Sequence, residues 1–233
     1  MGIIRTVQGD LISQDVGNIM IHEHIIFDIT LPEKKKQTKI DISMSDRWQI
    51  DYFSNQEPSN SLQEDISIAV DELRHFFCDG GSVIVDQSVF GLSRSPEKLV
   101  QISKLSGVHI VAAAGSYTQQ YLPQKFLDMD TEALTERFID EVNSGLDGTS
   151  IKAGIIGEIG CSWPITNFEK KAIFAAACAA HKTGVALSIH PGRSKDACFE
   201  IIKIIEPTGI NPDRVILCHM DRTYPDGDGI CLL

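Results

Sequence analysis

The sequence predicts an α/β protein built around a parallel sheet, because strand-like and helix-like segments alternate along most of its length. From Gly81 onwards, short runs rich in Val, Ile and Ala are separated by longer segments with helical spacing. These runs are almost continuously apolar, as expected of parallel strands covered by helices. The pattern is typical both of a doubly wound sheet and of a (β/α)8 barrel.

Six strands and the five helices between them can be justified in order along the chain. The first strand is IMIHEHIIF, and it is followed by a long polar, Lys-rich excursion over residues 32–60 of the kind that covers a barrel mouth. The later units are set by β-branched runs, by helical spacing and by Gly at the helix ends. The predicted strands are 19–27, 81–88, 107–115, 152–160, 185–191 and 214–221, and the predicted helices are 61–81, 95–107, 130–146, 167–184 and 194–209.

The composition of the chain limits the kinds of molecule that it can be expected to bind. The chain has 233 residues, 42% of them hydrophobic, and a formal net charge of -11. This acidic balance disfavours nucleic acid and anionic membrane surfaces, and it favours a small-molecule substrate. The six cysteines form no CxxC pair, and no run of 18 apolar residues occurs. We therefore expect reduced thiols, a cytosolic location and no membrane span. The oligomeric state is left open.

Four of the seven histidines lie near the carboxyl ends of predicted strands. His22 and His24 are two residues apart, so alternation along a strand points both side chains to the same side. His190 and His219 end two later strands. Barrel enzymes take their catalytic residues from this end of the strands. Buried imidazoles are costly without partners, so three strands that converge in this way favour a metal site over packing.

A carboxylate completes the candidate site. Glu158 lies in AGIIGEIG, near the end of a strand otherwise made of Ile, Ala and Gly. A buried unpaired carboxylate is expensive, so a cation is its expected partner, with Lys152 or Arg193 as the alternatives to a metal. Four histidines and one carboxylate exceed the needs of one tetrahedral zinc. They suit two ions bridged by the carboxylate and a hydroxide, and hence hydrolysis.

In this order, MIHEHI, AGIIGEIG, LSIHPGR and ILCHMDRT resemble the phosphotriesterase-related proteins of the amidohydrolase superfamily over about residues 1–222. The resemblance implies a (β/α)8 TIM-barrel type fold and a binuclear, usually zinc, centre. His22 and His24 would bind the first ion, Glu158 would bridge, and His190 and His219 would bind the second. True phosphotriesterases bridge with a carbamylated lysine, whereas the matching stretch here has Gly157 and Glu158 and no lysine. The related branch cleaves N-acyl taurines, such as N-acetyltaurine to taurine and acetate.

The resemblance also implies an aspartate from an eighth strand, which has no counterpart here. After HMDRT the pattern dissolves into YPDGDGICLL. We therefore expect a barrel truncated to about six βα units over 1–222, with a divergent tail over 223–233. We expect such a chain to be inactive or poorly soluble because sheet edges are exposed. Asp221 is not expected to replace the aspartate, so the catalytic residue is left unassigned.

Other residues carry open alternatives. Arg193 either holds an anionic substrate group or is a solvated loop cation, and Tyr117 either lines the pocket or is an ordinary residue of the mouth. Asp86 either orients a histidine N–H or caps its strand. Cys218 precedes His219 and is expected to face the helices.

Two other functional classes remain open from the residues. A TatD-type metal-dependent DNase also has an HxH near its N-terminus and a GE-G strand, although the acidic balance and the GEIGCSW continuation argue against it. Alternatively, the chain is a non-catalytic truncated variant.

Overall fold

The computed structural model describes residues 2–35, 42–53, 58–225 and 227. Ten strands are found there: β1 Ile3–Thr6, β2 Gly9–Ile12, β3 Asn18–Glu23, β4 Phe27–Asp28, β5 Leu62–Gln63, β6 Gly81–Asp86, β7 His109–Ala114, β8 Ile155–Gly160, β9 Leu187–His190 and β10 Val215–Leu217. The α-helices are α1 Arg47–Phe53, α2 Ile66–Cys78, α3 Pro96–Ser106, α4 Gln124–Leu127, α5 Thr131–Asn143, α6 Asn167–Thr183, α7 Lys195–Ile205 and α8 Met220–Thr223.

Six parallel strands form the main sheet, in the order β10-β9-β8-β7-β6-β3. Spatial order follows chain order without a reversal. A doubly wound sheet reverses its strand order at a switch point, so this order excludes that alternative and selects the barrel type. The six predicted βα strands are all present.

The sheet is strongly curled. β3 and β10 are its two edge strands, and in a flat sheet they would lie roughly 24 Å apart at about 4.8 Å per strand. Yet the ring of His22 on β3 and the ring of His219 just after β10 have centroids 4.9 Å apart. The curl therefore brings the two ends of the sheet together around one site.

The interior is closed at the amino ends of the strands by the hairpin of β1 and β2. Ile4 and Leu11 of this hairpin pack against Val83, Val111 and Ile155 inside the curl. Val7 N donates to Ile110 O at 2.8 Å, and Arg5 Nη1 donates to Val142 O at 2.9 Å. The hairpin therefore lies at the amino ends of the strands and leaves their carboxyl ends open.

The helices pack on the outer face through one continuous apolar cluster. Their ends follow local signals in the sequence. α6 begins with a capping box of Thr166 and Glu169 and ends at Gly184, which has a φ of 75°. α2 begins at Asp65, whose side chain accepts from Ser67 N and Ile68 N. No described helix is long and apolar enough to span a bilayer.

Some predicted bounds were wrong in ways that matter for the site. The strand predicted over 19–27 ends at Glu23, and a separate short strand, β4, pairs with β5. The strand predicted over 214–221 ends at Leu217, and Met220–Thr223 is helical. The turn between them is made by His219, which has a φ of 58°.

Parts of two predicted segments lie outside the described residues. These are 36–41 and 54–57 in the Lys-rich excursion, and 226 and 228–233 in the tail. The described part of the excursion contains α1. The division into a barrel over 1–222 and a tail over 223–233 stays a prediction. The described cysteines are unpaired, in line with the expected reduced thiols.

Candidate metal centre

One buried carboxylate lies at the centre of the site, surrounded by four imidazoles from three segments. Glu158 is 1% exposed. Its Oε2 lies 3.2 Å from His22 Nε2, 3.0 Å from His190 Nδ1 and 3.4 Å from His219 Nε2. Its Oε1 lies 3.3 Å from His24 Nε2. The structure therefore brings together all five predicted ligand residues, although their binding of metal stays a prediction.

Strand ends position these side chains. His22 is on β3 and His24 follows that strand, while Glu158 is within β8 and His190 is the last residue of β9. Gly157, with a φ of 120°, leaves no room for a Cβ because that atom would collide with the carbonyl of Ser188. Close packing of β8 against β9 at this point therefore requires glycine, and it sets the approach of Glu158 to His190.

Glu158 remains ionised despite its burial. Burial by itself raises its pKa, but the hydrogen bonds with His190, His219, His22 and His24 outweigh burial and hold the pKa well below its ordinary range. No Lys or Arg among the described residues pairs with this carboxylate, so Lys152 and Arg193 are not its partners. Among the described residues, its charged or hydrogen-bonding partners are the four imidazoles.

Cys218 faces the site, contrary to the sequence-based expectation that it would face the helices. It is buried, and its Sγ lies 3.0 Å from Ser188 Oγ. Its hydrogen bond to His22, followed by that of Glu158, raises the pKa of His22 to about 10. The expectation failed because it extended strand alternation through Cys218, whereas β10 ends at Leu217 and the chain turns at His219.

Two sets of donor atoms could each hold a metal ion. One is formed by His22, Glu158 and Cys218, and the other by Glu158, His190 and His219, with the atoms of each set within 4.8 Å of one another. The sets share Glu158, as expected of a bridging carboxylate. Nitrogen, oxygen and sulfur donors of this kind suit zinc and other transition metals. His24 belongs to neither set, and Cys218 takes its place beside His22, so the donors fit two ions that share Glu158.

Asp86 acts as a cap at the end of its strand, which was one of its two predicted roles. Its Oδ2 accepts from Ile25 N at 3.0 Å and its Oδ1 from Ser88 N at 2.7 Å. Asp86 is linked to the site through Ser88, whose Oγ lies 3.2 Å from His24 Nδ1. Ser88 was missed by the sequence analysis, since only the fold places it beside His24.

A cavity of about 510 Å³ lies beside His190 and contains Tyr117, Arg193 and Arg222 among its lining residues. Tyr117 therefore does line a pocket next to the site, and its ring packs edge-on against His190 at 5.7 Å. Arg193 is exposed at the mouth of this cavity. Arg222 was missed, although HPGR and HMDR repeat one spacing, with an arginine three residues after each of two candidate ligands. Asp221 is exposed on α8.

The fold and the site together define an α/β protein of the TIM-barrel type with a candidate two-metal centre at the carboxyl ends of its strands. The family model of the phosphotriesterase family matches residues 2–232. The chain belongs to the phosphotriesterase family.

Named relatives and a solved structure extend this comparison. The chain is 36% identical over 232 residues to a phosphotriesterase-related protein of Nematostella vectensis, covering 95% of this chain and 66% of that protein. It is 35% identical to the N-acetyltaurine hydrolase of Homo sapiens, covering 97% of this chain and 66% of the relative. A solved resiniferatoxin-binding protein from Rhodobacter sphaeroides is similar with a TM-score of 0.88 and 30% identity, covering 97% of this chain and 65% of that one. The chain thus spans about two thirds of the length of these relatives.

Proposed function

We propose that the chain carries the metal centre of a zinc-dependent hydrolase that cleaves a small amide, with an N-acyl taurine as its substrate. The observation that carries this proposal is Glu158. It is buried and ionised, it is contacted by four imidazoles, and no Lys or Arg among the described residues neutralises it. A buried charge in this setting needs a cation, and the donors around it are metal ligands.

The named relatives support the reaction class. Family membership and an identity of 35% to a protein named N-acetyltaurine hydrolase favour amide hydrolysis. Because the chain spans only about two thirds of these relatives, their activity is transferred to it as a proposal. The phosphotriesterase family match favours this function over a TatD-type nuclease.

In this proposal, His22 and His24 would hold the first ion, His190 and His219 would hold the second, and Glu158 would serve both. Cys218 lies beside His22 and offers a further donor atom to the first ion. Bound ions of this kind lower the pKa of water and polarise a carbonyl oxygen.

The residues of the chain orient and isolate the centre. Glu158 supplies the negative charge that holds the imidazoles in place. Ser88 can accept the hydrogen of His24 Nδ1, which fixes the tautomer with Nε2 facing Glu158. His190 forms a wall shared by the centre and the 510 Å³ cavity, so an amide in that cavity would lie beside the ligands.

The test is a hydrolysis assay with N-acetyltaurine, in which taurine release is measured for the zinc-loaded chain and for the chain extended by the remaining third of a relative. The proposal expects taurine release by the extended chain, and it expects Glu158→Gln to abolish that release. Absence of zinc binding and of turnover in both proteins would contradict it, and cleavage of plain duplex DNA instead of the amide would support the nuclease.

A further inference from the structure

The cavity beside His190 has the size and lining of a small-molecule site. Its volume is about 510 Å³, and its walls come from the segment after β7, from the start of α6 and from the segments after β9 and β10. Of the five candidate ligand residues, His190 is the one that lines it. A substrate could therefore place one end at the ligands and the other end in this cavity.

Two guanidinium groups face this cavity. Arg193 follows His190 by three residues, and Arg222 follows His219 by three residues. Burial raises the pKa of Tyr117, whereas the charges of Arg222 and Arg193 act in the opposite direction, so both cations lie near the same phenol group. Positive charge is thus concentrated in one cavity of a chain whose formal net charge is -11.

The carboxylate in the cavity does not neutralise these cations. Glu169 is buried, and its oxygens accept from Gln119 N at 3.2 Å, Ser162 N at 3.0 Å and Thr166 N at 3.1 Å. The hydroxyl of Ser162 adds a fourth bond at 2.6 Å. Glu169 therefore serves the capping box and the adjacent loop.

Two buried polar atoms of residues that line the cavity have no hydrogen-bond partner among the described residues. Arg222 Nη2 donates to Pro191 O at 3.1 Å, which fixes the guanidinium beside the segment that follows His190. Its Nε is buried, and so is Thr118 Oγ1, and neither has a hydrogen-bond partner among the described residues. Arg193 forms no ion pair with a described residue. Buried donors without partners are costly and point to a ligand.

We propose that Arg222, together with Arg193, binds a sulfonate or carboxylate at the end of the substrate that is remote from the scissile amide. This inference rests on the proposed function and names the residues that would bind the acid group of its substrate. Arginine suits this task because its planar fork can bind two oxygens of an anion at once. Arg222 contributes more to anion binding than Arg193 does, because its guanidinium is held in place by Pro191 O. Arg193 is exposed and already solvated by water, so it gains less from a bound anion.

The test measures equilibrium binding by titration calorimetry on the whole chain, with three probes of similar size. N-acetyltaurine carries a sulfonate, N-acetyl-β-alanine carries a carboxylate, and N-propylacetamide is neutral. Arg222→Gln should weaken binding of both anions about 10- to 100-fold and change binding of the neutral amide less than about twofold. The ratio between the two anions decides which acid group is preferred.

Arg214→Gln is the matched control. Arg214 lies just before β10, at the end opposite to Arg222, and donates to Gly184 O. It should leave all three affinities unchanged. Unchanged anion binding in Arg222→Gln, or an equal loss for the neutral amide, would overturn the inference. Arg222-dependent binding without turnover would uphold the anion site and reject the hydrolase, whereas turnover of amides without Arg222 dependence would do the reverse.

Discussion

Two buried glutamates, Glu158 and Glu141, show how the same side chain serves different purposes. Glu141 is 4% exposed and is paired with Arg94 at 2.7 Å and Arg137 at 3.2 Å. Its charge is matched by permanent cations. Glu158 is 1% exposed and contacts four imidazoles, and no Lys or Arg among the described residues pairs with it. A carboxylate with a permanent counter-charge is typical of structure, whereas one that lacks it is typical of a site for an external cation.

The largest effect is expected from removing the counter-charge of Glu141. Arg94 is 3% exposed and bridges Glu141 to Asp147, so Arg94→Met leaves a buried carboxylate short of its main partner. We expect the free energy of unfolding of the metal-free chain to fall by about 3–5 kcal/mol, as measured by urea denaturation. Zinc bound per folded chain should not change.

Arg47→Met is its control, since Arg47 forms an exposed ion pair with Asp51 on α1. Its unfolding midpoint should match that of the wild type. A loss below about 1 kcal/mol for Arg94→Met would remove the distinction between the two glutamates.

Glu158→Gln should have the opposite effects from Arg94→Met, with a large loss of zinc affinity and a smaller loss of stability. The amide keeps the size of the side chain but removes the charge shared by both donor sets, so zinc affinity should fall at least about 100-fold, or about 2.7 kcal/mol. Competition with a chromogenic chelator measures this. The metal-free chain should lose less stability than Arg94→Met does, because no permanent cation is left unpaired. Retained zinc affinity would show that Glu158 is not a ligand.

A smaller effect on metal affinity is expected at Ser88. Ser88→Ala removes the partner of His24 Nδ1, and loss of such a group weakens metal binding by about tenfold. Ser116→Ala is the matched control, because Ser116 is also buried and its Oγ has no partner among the described residues. Equal losses in both variants would mean that Ser88 contributes packing alone.

The smallest effect is expected at Asp147, which pairs with Arg94 and so belongs with Glu141 in this comparison. Burial raises its pKa, but the hydrogen bond and charge of Arg94 lower it below the ordinary value. A depressed pKa in the folded state gives stability that is present above about pH 3.9 and is lost as the pH falls through the folded pKa. Asp147→Asn should cost about 1 kcal/mol at pH 7, and the difference should vanish in acid. A constant difference at every pH would contradict the charge-based explanation.

Sequence patterns were sufficient to predict the parallel sheet and the convergence of His22, His24, Glu158, His190 and His219. Both follow from local periodicity and from the rule that parallel strands present their carboxyl ends at one edge. The sequence could not choose between a barrel and a doubly wound sheet from the residues alone, because strand order is a long-range property.

The residues around the centre were less predictable. Cys218 was assigned to the wrong side because a single left-handed residue, His219, ends the alternation. Ser88 and Arg222 act across different segments of the fold, so their spacing to the ligands carries only a weak signal. The pairing of Arg94 with Glu141 spans 47 positions in sequence, and no local pattern marks it.

The most direct test of the account is the zinc content of the folded chain, measured by mass spectrometry for the wild type, Glu158→Gln and Glu141→Gln, with circular dichroism to confirm folding. The account predicts two zinc ions per chain in the wild type and in Glu141→Gln, and fewer than one in Glu158→Gln. Two ions retained in Glu158→Gln, or an equal loss in Glu141→Gln, would contradict it.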